Sequence, residues 1–248
     1  MSSLFLLHGF TGAPSSFERV LAALPHPVPA AAAPLLTGHG APPAAPEIQS
    51  FEAEVDRLAA LALGPPPRVL VGYSLGARLA LGLLVRHPER FERAVLISGS
   101  AGLRDETERA ERRASDAEWR ALLVREGLEA FITRWAALPL FATQAALSDE
   151  QRSAEGRRRA SHTARGLAHS LAVTGLAEMP DYFPALGGVR VPVELLAGAL
   201  DERFCAHAEA IVRELPTGRF TRVAGAGHNL LLERPESVAE AIERGVLP

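Results

Sequence analysis

Apolar residues along this chain fall into two alternating arrangements. Short, mainly apolar runs at Leu4–Leu7, Val28–Ala33, Arg68–Val71, Ala94–Ile97 and Val193–Ala197 predict strands, the second of them weak, and Arg219–Val223 reads as a sixth. Between them lie stretches whose apolar positions recur three and four residues apart. These predict helices over Ser15–Leu24, with Ser15 or Ser16 near the cap, and over Ser50–Leu63, where Phe51, Val55, Leu58 and Leu61/Ala62 share a face. "GPPP" ends that second helix, and Leu75–His87, Phe204–Leu215 and Pro235–Arg244 supply three more. Such alternation implies an α/β protein with a mostly parallel sheet and helices on both faces.

The alternation lapses from Leu103 to about Met179, where charged helical stretches, Trp119, Trp135 and Arg157-Arg158-Arg159 stand without a strand pattern. The economical division is a core of residues 1–102 and 180–248 with residues 103–179 as a helical cap. The cap is expected over the C-terminal edge of the sheet, where ligands bind in such folds. The Pro/Ala stretches at 25–34 and 41–46 read as connecting loops.

Composition narrows the picture in three ways. A length of 248 residues, 48% hydrophobic, suits one large domain, and a net charge of −3 argues against a nucleic-acid partner. All 26 basic residues are arginine, so a single arginine carries weight only through its position. One cysteine, Cys205, excludes an internal disulfide and a cysteine-cluster metal site. No basic leader and no run of 18 apolar residues is visible, so a soluble cytoplasmic protein without a membrane partner is expected.

Chemistry concentrates in "GYSLG", residues 72–76, a serine between two glycines after an apolar strand and before a helix. This is the pattern of a nucleophile elbow, which needs small flanking residues and presents the serine at a helix N-terminus. A serine hydroxyl needs an imidazole to take its proton and an acid to orient that imidazole. In this architecture they follow in the order Ser, Asp, His, each after a strand. "LLAGALDERF" supplies Asp201 and "VAGAGHNLLLERP" supplies His228. The plainer alternative for Asp201 is a helix N-cap, and for His228 a loop histidine.

"LHGFTG" follows the first strand, and the N–H groups of Phe10 and Leu75 are the natural oxyanion-hole donors. His8 and His39 read as structural loop residues, and His162 and His169 as residues on polar helix faces. No metal is assigned.

Taken together, these residues resemble the α/β-hydrolase superfamily along nearly the whole chain. Within it the likeness is to 2-succinyl-6-hydroxy-2,4-cyclohexadiene-1-carboxylate synthases of menaquinone biosynthesis. "LHGFTG", "GYSLGAR", "SGSAGL", "RWAALPLF", "GALDERF" and "AGHN" carry it. The resemblance implies the α/β-hydrolase fold and a cofactor-free lyase. The triad would act as a base that expels pyruvate from 2-succinyl-5-enolpyruvyl-6-hydroxy-3-cyclohexene-1-carboxylate. Family residues that bind substrate carboxylates match Arg78 and Trp135 directly, and Tyr73 sits in the same elbow as a further substrate-binding position. Local spacing places two more family arginines at Arg112 and Arg159, with Arg113 and Arg158 as rivals. Two departures stand out. The chain starts on the "LHG" strand, implying a smaller sheet, and "APLLT" precedes "GHG" where an Asp-Leu-Pro-like pattern is commoner.

Arg78 follows Ser74 by four residues and so shares its helix face. A buried guanidinium needs a partner. That partner is either a protein carboxylate or an anionic group of a small polycarboxylate substrate, which a planar guanidinium grips bidentately. A carboxylic-ester or thioester hydrolase using the same triad is the alternative reading, and a non-catalytic binding protein of this fold a third. Oligomeric state is open between a monomer and a small homo-oligomer.

Overall fold

The computed structural model describes residues 3–28, 31–62 and 68–244. Six strands, β1 (Ser3–Leu7), β2 (Ala31–Ala32), β3 (Arg68–Tyr73), β4 (Arg93–Ile97), β5 (Val193–Gly198) and β6 (Gly218–Val223), pair in the order β2-β1-β3-β4-β5-β6. Every pairing is parallel. Side chains alternate between faces along each strand, so β1 sends Phe5 and Leu7 to one face and Leu4 and Leu6 to the other. The first face packs on α2 (Phe51–Leu61), α3 (Leu75–Arg86) and α7 (Glu202–Glu214) through residues such as Val55, Leu79 and Ile211. The second packs on α1 (Glu18–Ala23), α8 (Leu230–Glu233) and α9 (Pro235–Glu243) through Val20, Leu231 and Ile242. In β1, β3, β4 and β5 the two-sided burial explains why the strands read as mostly apolar runs, whereas the edge strands β2 and β6 are largely exposed or half-buried.

Two elements differ from expectation. The Val28–Ala33 strand reduces to Ala31–Ala32 at the sheet edge, and residues 29 and 30 of that stretch lie outside the described residues. Pro27 and Pro34 bracket it, and proline cannot donate to a ladder. The first helix divides into a 3₁₀ turn, Pro14–Phe17, and α1; Ser16 Oγ accepts from Ala13 N–H at 3.1 Å from within the turn. Residues 63–67, which include Leu63 and "GPPP", lie outside the described residues.

Between β4 and β5 the chain forms α4 (Glu106–Ala136), α5 (Asp149–Ala160) and α6 (Ala164–Thr174) with no strand. Gly127, at φ 82°, breaks the helical path of α4. α4 and α6 bury their own cluster of Leu122, Leu123, Phe131, Leu167 and Leu171, and Phe10 from the loop after β1 packs into it. That aromatic contact ties the helical segment to the loop beside the elbow.

Candidate active site

β3 ends at Tyr73 and α3 begins at Leu75, leaving Ser74 at the turn with φ 52° and ψ −107°. Such backbone is costly for a residue with a side chain and is a mark of the elbow turn. Glycine is required on both sides. A Cβ on Gly72 would lie 2.4 Å from Gly76 O, and one on Gly76 would lie 2.0 Å from Leu7 O. Helix α3 therefore starts hard against the end of β1.

His228, in the turn after β6, brings Nε2 to 3.1 Å from Ser74 Oγ and Nδ1 to 2.7 Å from Asp201 Oδ2. Asp201 caps α7 as well, its Oδ1 accepting from Phe204 N–H at 3.4 Å, so the cap and the histidine contact use different oxygens. With Nδ1–H directed at the carboxylate, Nε2 is left to accept the serine proton. Phe204 lies 4.4 Å from the imidazole and Tyr73 5.6 Å, centroid to centroid. Ser98, at the end of β4, donates through Oγ to the His228 carbonyl at 2.9 Å. Phe10 and Leu75 border the same cavity as Ser74. Leu75 is the first residue of α3, where an N–H has no acceptor in its own helix. Phe10 N–H donates to no protein group among the described residues.

Two lobes open on either side of Ser74. The broad one, about 280 Å³, is bordered by Arg78, Arg112, Asp116, Trp135, Arg203 and His207. The narrow one, about 50 Å³, is bordered by Tyr73, Trp135, Glu155, Arg158, Arg159 and Asn229. In the broad lobe Arg78 donates from one terminal nitrogen to the Thr174 carbonyl at 2.9 Å, while Asp116 binds Arg112 at 2.9 Å. The protein partner of Arg78 is thus a neutral carbonyl, and its charge is shared with Arg112 against the single carboxylate of Asp116. Burial pulls the Arg78 guanidinium down to about 9, Arg112 pulls the same way, and Asp116 opposes both, so it stays charged at neutral pH. Burial also pushes the Asp116 carboxyl up, against the pull of Arg112 and Arg78.

In the narrow lobe Glu155 pairs with both Arg158 and Arg159. Arg158 also donates to Ser15 Oγ at 3.1 Å, and Arg159 to Gln144 Oε1 at 3.3 Å. Burial, with Glu155 nearby, pushes the Tyr73 phenol well above its ordinary value. Trp135 borders both lobes with its buried indole N–H unpartnered.

The sequence-derived positions sort as follows. Ser74, Asp201 and His228 form one hydrogen-bonded chain, and Phe10, Leu75, Arg78, Tyr73, Arg112, Trp135 and Arg159 all border the lobes. Arg158 borders the narrow lobe beside Arg159, whereas Arg113 is exposed, held by Glu178 at 3.0 Å, and does not border either lobe. His8 and His39 are buried in the loops, as expected. His162 is a correction: it is not on a polar face but 5% exposed, bridging two loops of the core. Packing of the end of α5 on those loops, invisible to helical periodicity, is the reason. Asp116, Glu155, Arg203 and His207 went unread in the sequence. The first two stand three or four residues from an arginine already singled out, a spacing that pairs charges on a helix. Among the described residues no three His, Cys, Asp or Glu side chains are grouped to hold a metal, and no helix is long and apolar enough to cross a membrane.

Known proteins resemble this chain in sequence and in fold. Proteins of Enterobacter sp. (strain 638) and Salmonella schwarzengrund (strain CVM19633), each named 2-succinyl-6-hydroxy-2,4-cyclohexadiene-1-carboxylate synthase, are 35% and 34% identical over 70% of this chain. The matched stretch spans 64% and 66% of their own lengths, just under two thirds. MenH from S. aureus superposes with a TM-score of 0.91 at 26% identity, covering 97% of this chain and 91% of its own. The profile of the alpha/beta hydrolase family matches residues 4–241. The chain belongs to the alpha/beta hydrolase family.

Proposed function

We propose that this protein is a lyase that eliminates pyruvate from 2-succinyl-5-enolpyruvyl-6-hydroxy-3-cyclohexene-1-carboxylate, giving 2-succinyl-6-hydroxy-2,4-cyclohexadiene-1-carboxylate. The observation that carries this reading is the charge beside Ser74: the broad lobe sets Arg78, Arg112 and Arg203 against Asp116, and the narrow lobe sets Arg158 and Arg159 against Glu155. An ester pocket needs no such excess of guanidinium, whereas this precursor carries three carboxylates. The likeness to synthases of that name supports the same choice.

The chemistry follows from the two formulae. His228 takes the proton of Ser74, and the serine oxygen removes the ring proton at C2, which is acidic because it neighbours the succinyl ketone. That electron pair becomes the C2–C3 double bond, the C3–C4 pair moves to C4–C5, and the C5–O bond breaks. The departing enolpyruvate oxygen takes a proton from His228 and tautomerises to pyruvate, while the C2 proton is left on Ser74. Negative charge that builds on the ketone oxygen meets the N–H groups of Phe10 and Leu75. Arg78 and Arg112 on one side, and Arg159 with Tyr73 and Trp135 on the other, hold the carboxylates. Redox state does not change, so no cofactor is required. Residues 103–179 serve as a cap that excludes water from the base.

The test is direct. Purified protein given the precursor should release pyruvate, read by coupled NADH oxidation with lactate dehydrogenase, and Ser74→Ala should not. Absence of pyruvate with the wild-type protein, or undiminished release by Ser74→Ala, overturns the reading.

A further inference from the structure

Three buried histidines stand in a row beneath the loop that carries Phe10. His8 and His39 meet edge to face at 4.8 Å, and His39 and His162 at 5.2 Å, centroid to centroid. Each uses one ring nitrogen to donate and the other to accept. His8 Nδ1–H donates to Gly9 O at 2.8 Å and Nε2 accepts from Leu36 N–H at 3.2 Å. His39 Nδ1–H donates to Thr37 O at 3.1 Å and Nε2 accepts from Thr11 N–H at 3.3 Å. His162 Nε2–H donates to Thr11 O at 3.1 Å and Nδ1 accepts from Gly40 N–H at 2.9 Å.

The bond from His162 has a consequence set by peptide geometry. In a trans peptide the C=O and the following N–H point in opposite directions. The carbonyl of Thr11 that His162 holds belongs to the same peptide as Gly12 N–H, which donates to Gly9 O at 2.9 Å. The Gly9 carbonyl in turn belongs to the same peptide as Phe10 N–H. Two peptide planes therefore connect His162, in the connection after α5, to the N–H of Phe10, a residue that borders the same cavity as Ser74. Thr11 sits at φ 63°, a backbone unfavourable for threonine that the histidine bonds on both its N–H and its C=O maintain.

We propose that His162 is a positioning residue for the oxyanion hole, acting through the relay His162 Nε2–H to Thr11 C=O, Gly12 N–H to Gly9 C=O, and Phe10 N–H to the substrate oxyanion. Each bond aims the next peptide and polarises it, which strengthens the terminal donor. Because His162 lies between α5 and α6, the relay also makes a competent oxyanion hole depend on docking of the helical segment. Burial lowers the pKa of all three rings, which keeps the accepting lone pairs free at neutral pH. The inference rests on Phe10 N–H as the oxyanion donor, but not on the identity of the substrate.

A neutral fluorophosphonate that labels Ser74 tests it, because phosphonylation builds negative charge on an oxygen in the same place. Pyruvate release is followed in parallel. His162→Phe keeps the ring volume and removes both hydrogen bonds, whereas the amide of His162→Gln places a donor near the position of Nε2. His162→Phe should lower the maximal labelling rate about tenfold, with half-saturation within about twofold of wild type, and His162→Gln should recover most of that loss. Gly12→Ala, whose Cβ would press to 2.9 Å from Gly9 O, breaks the relay at its middle and should match His162→Phe; it carries the comparison if His162→Phe does not fold. The proposal is overturned if Gly12→Ala labels at the wild-type rate, if His162→Gln is as slow as His162→Phe, or if the loss lies in half-saturation alone. Wild-type protein that labels Ser74 yet releases no pyruvate would sink the lyase reading and leave the relay to be judged on the labelling rates.

Discussion

The broad and narrow lobes beside Ser74 both carry more guanidinium than carboxylate, but hold it by different means. In the broad lobe the guanidiniums come from three elements, Arg78 from α3, Arg112 from α4 and Arg203 from α7, and of these Arg112 binds the carboxylate of Asp116. In the narrow lobe Arg158 and Arg159 are neighbours on α5 and share Glu155. Arg78 is fixed by covalent register, one helical turn past the elbow serine, and cannot move without moving Ser74. The narrow-lobe arginines hold position only as well as α5 docks on Ser15 and on the loops that His162 bridges. Charge in the broad lobe is therefore divided between the sheet core (Arg78, Arg203) and the helical segment (Arg112, Asp116), whereas charge in the narrow lobe belongs to the helical segment alone.

The largest expected effect makes no distinction between the lobes. Ser74→Ala and His228→Ala should each lower kcat for pyruvate release by about 10⁴-fold or more, and the double variant should be little worse, because such residues act as one unit. Steady-state kinetics of the three variants checks this; additive losses would separate the two residues and break the comparison at its centre. A smaller effect distinguishes true lobe residues from bystanders on the same helix. Arg112→Ala removes one cation and leaves Asp116 to neutralise Arg78, so kcat/KM should fall roughly 10- to 100-fold. Arg113→Ala, on the exposed side, should stay within about twofold. Equal losses in the two variants would show that α4 matters only as a whole.

Acid sharpens the comparison through the helical segment. Folding lowers the pKa of His8 from 6.5 to about 3 and depresses His39 and His162, chiefly by burial. Around them stand Arg158 facing His8, which adds to the lowering, and Glu155 facing His162, which opposes it. The unfolded chain therefore binds more protons below about pH 6.5, and stability falls as pH drops from there toward the folded values. Each histidine contributes a slope of up to about 1.4 kcal/mol per pH unit. Urea unfolding at successive pH values should show that slope, and His162→Gln should flatten it.

Much of the fold was legible because the inner strands β1, β3, β4 and β5 are buried on both faces and most of the helices on one, which leaves apolar runs and amphipathic patterns in turn. Ser74, Asp201 and His228 were legible for a related reason: each stands in a loop directly after a strand, so element order alone aligns them. Arg78 was legible by helical register from Ser74. The helical character of residues 103–179 was legible, but its packing was not, since its charged helices carry arginine and glutamate on several faces and the packing is decided by Phe10, Phe131 and the tryptophans. Hence Arg112 could not be separated from Arg113 by spacing, and the role of His162 lay in contacts with Thr11 and Gly40 across more than a hundred residues. The weak edge strand failed for a local reason, the prolines that bracket it.

The central claim, an active site built for a polyanion, is tested most directly by the selectivity of Arg78→Ala. The variant should lose about 10²-fold or more in kcat/KM for pyruvate release, the cost of a charge-assisted bond of about 2–3 kcal/mol. Arg78→Lys should restore only part of it, keeping the charge without the two-pronged geometry. Hydrolysis of a small neutral ester, measured on the same preparation, should change by no more than a few-fold. Equal losses on both substrates, with a matching fall in Tm, would make Arg78 a structural residue tied to Thr174 and contradict the account.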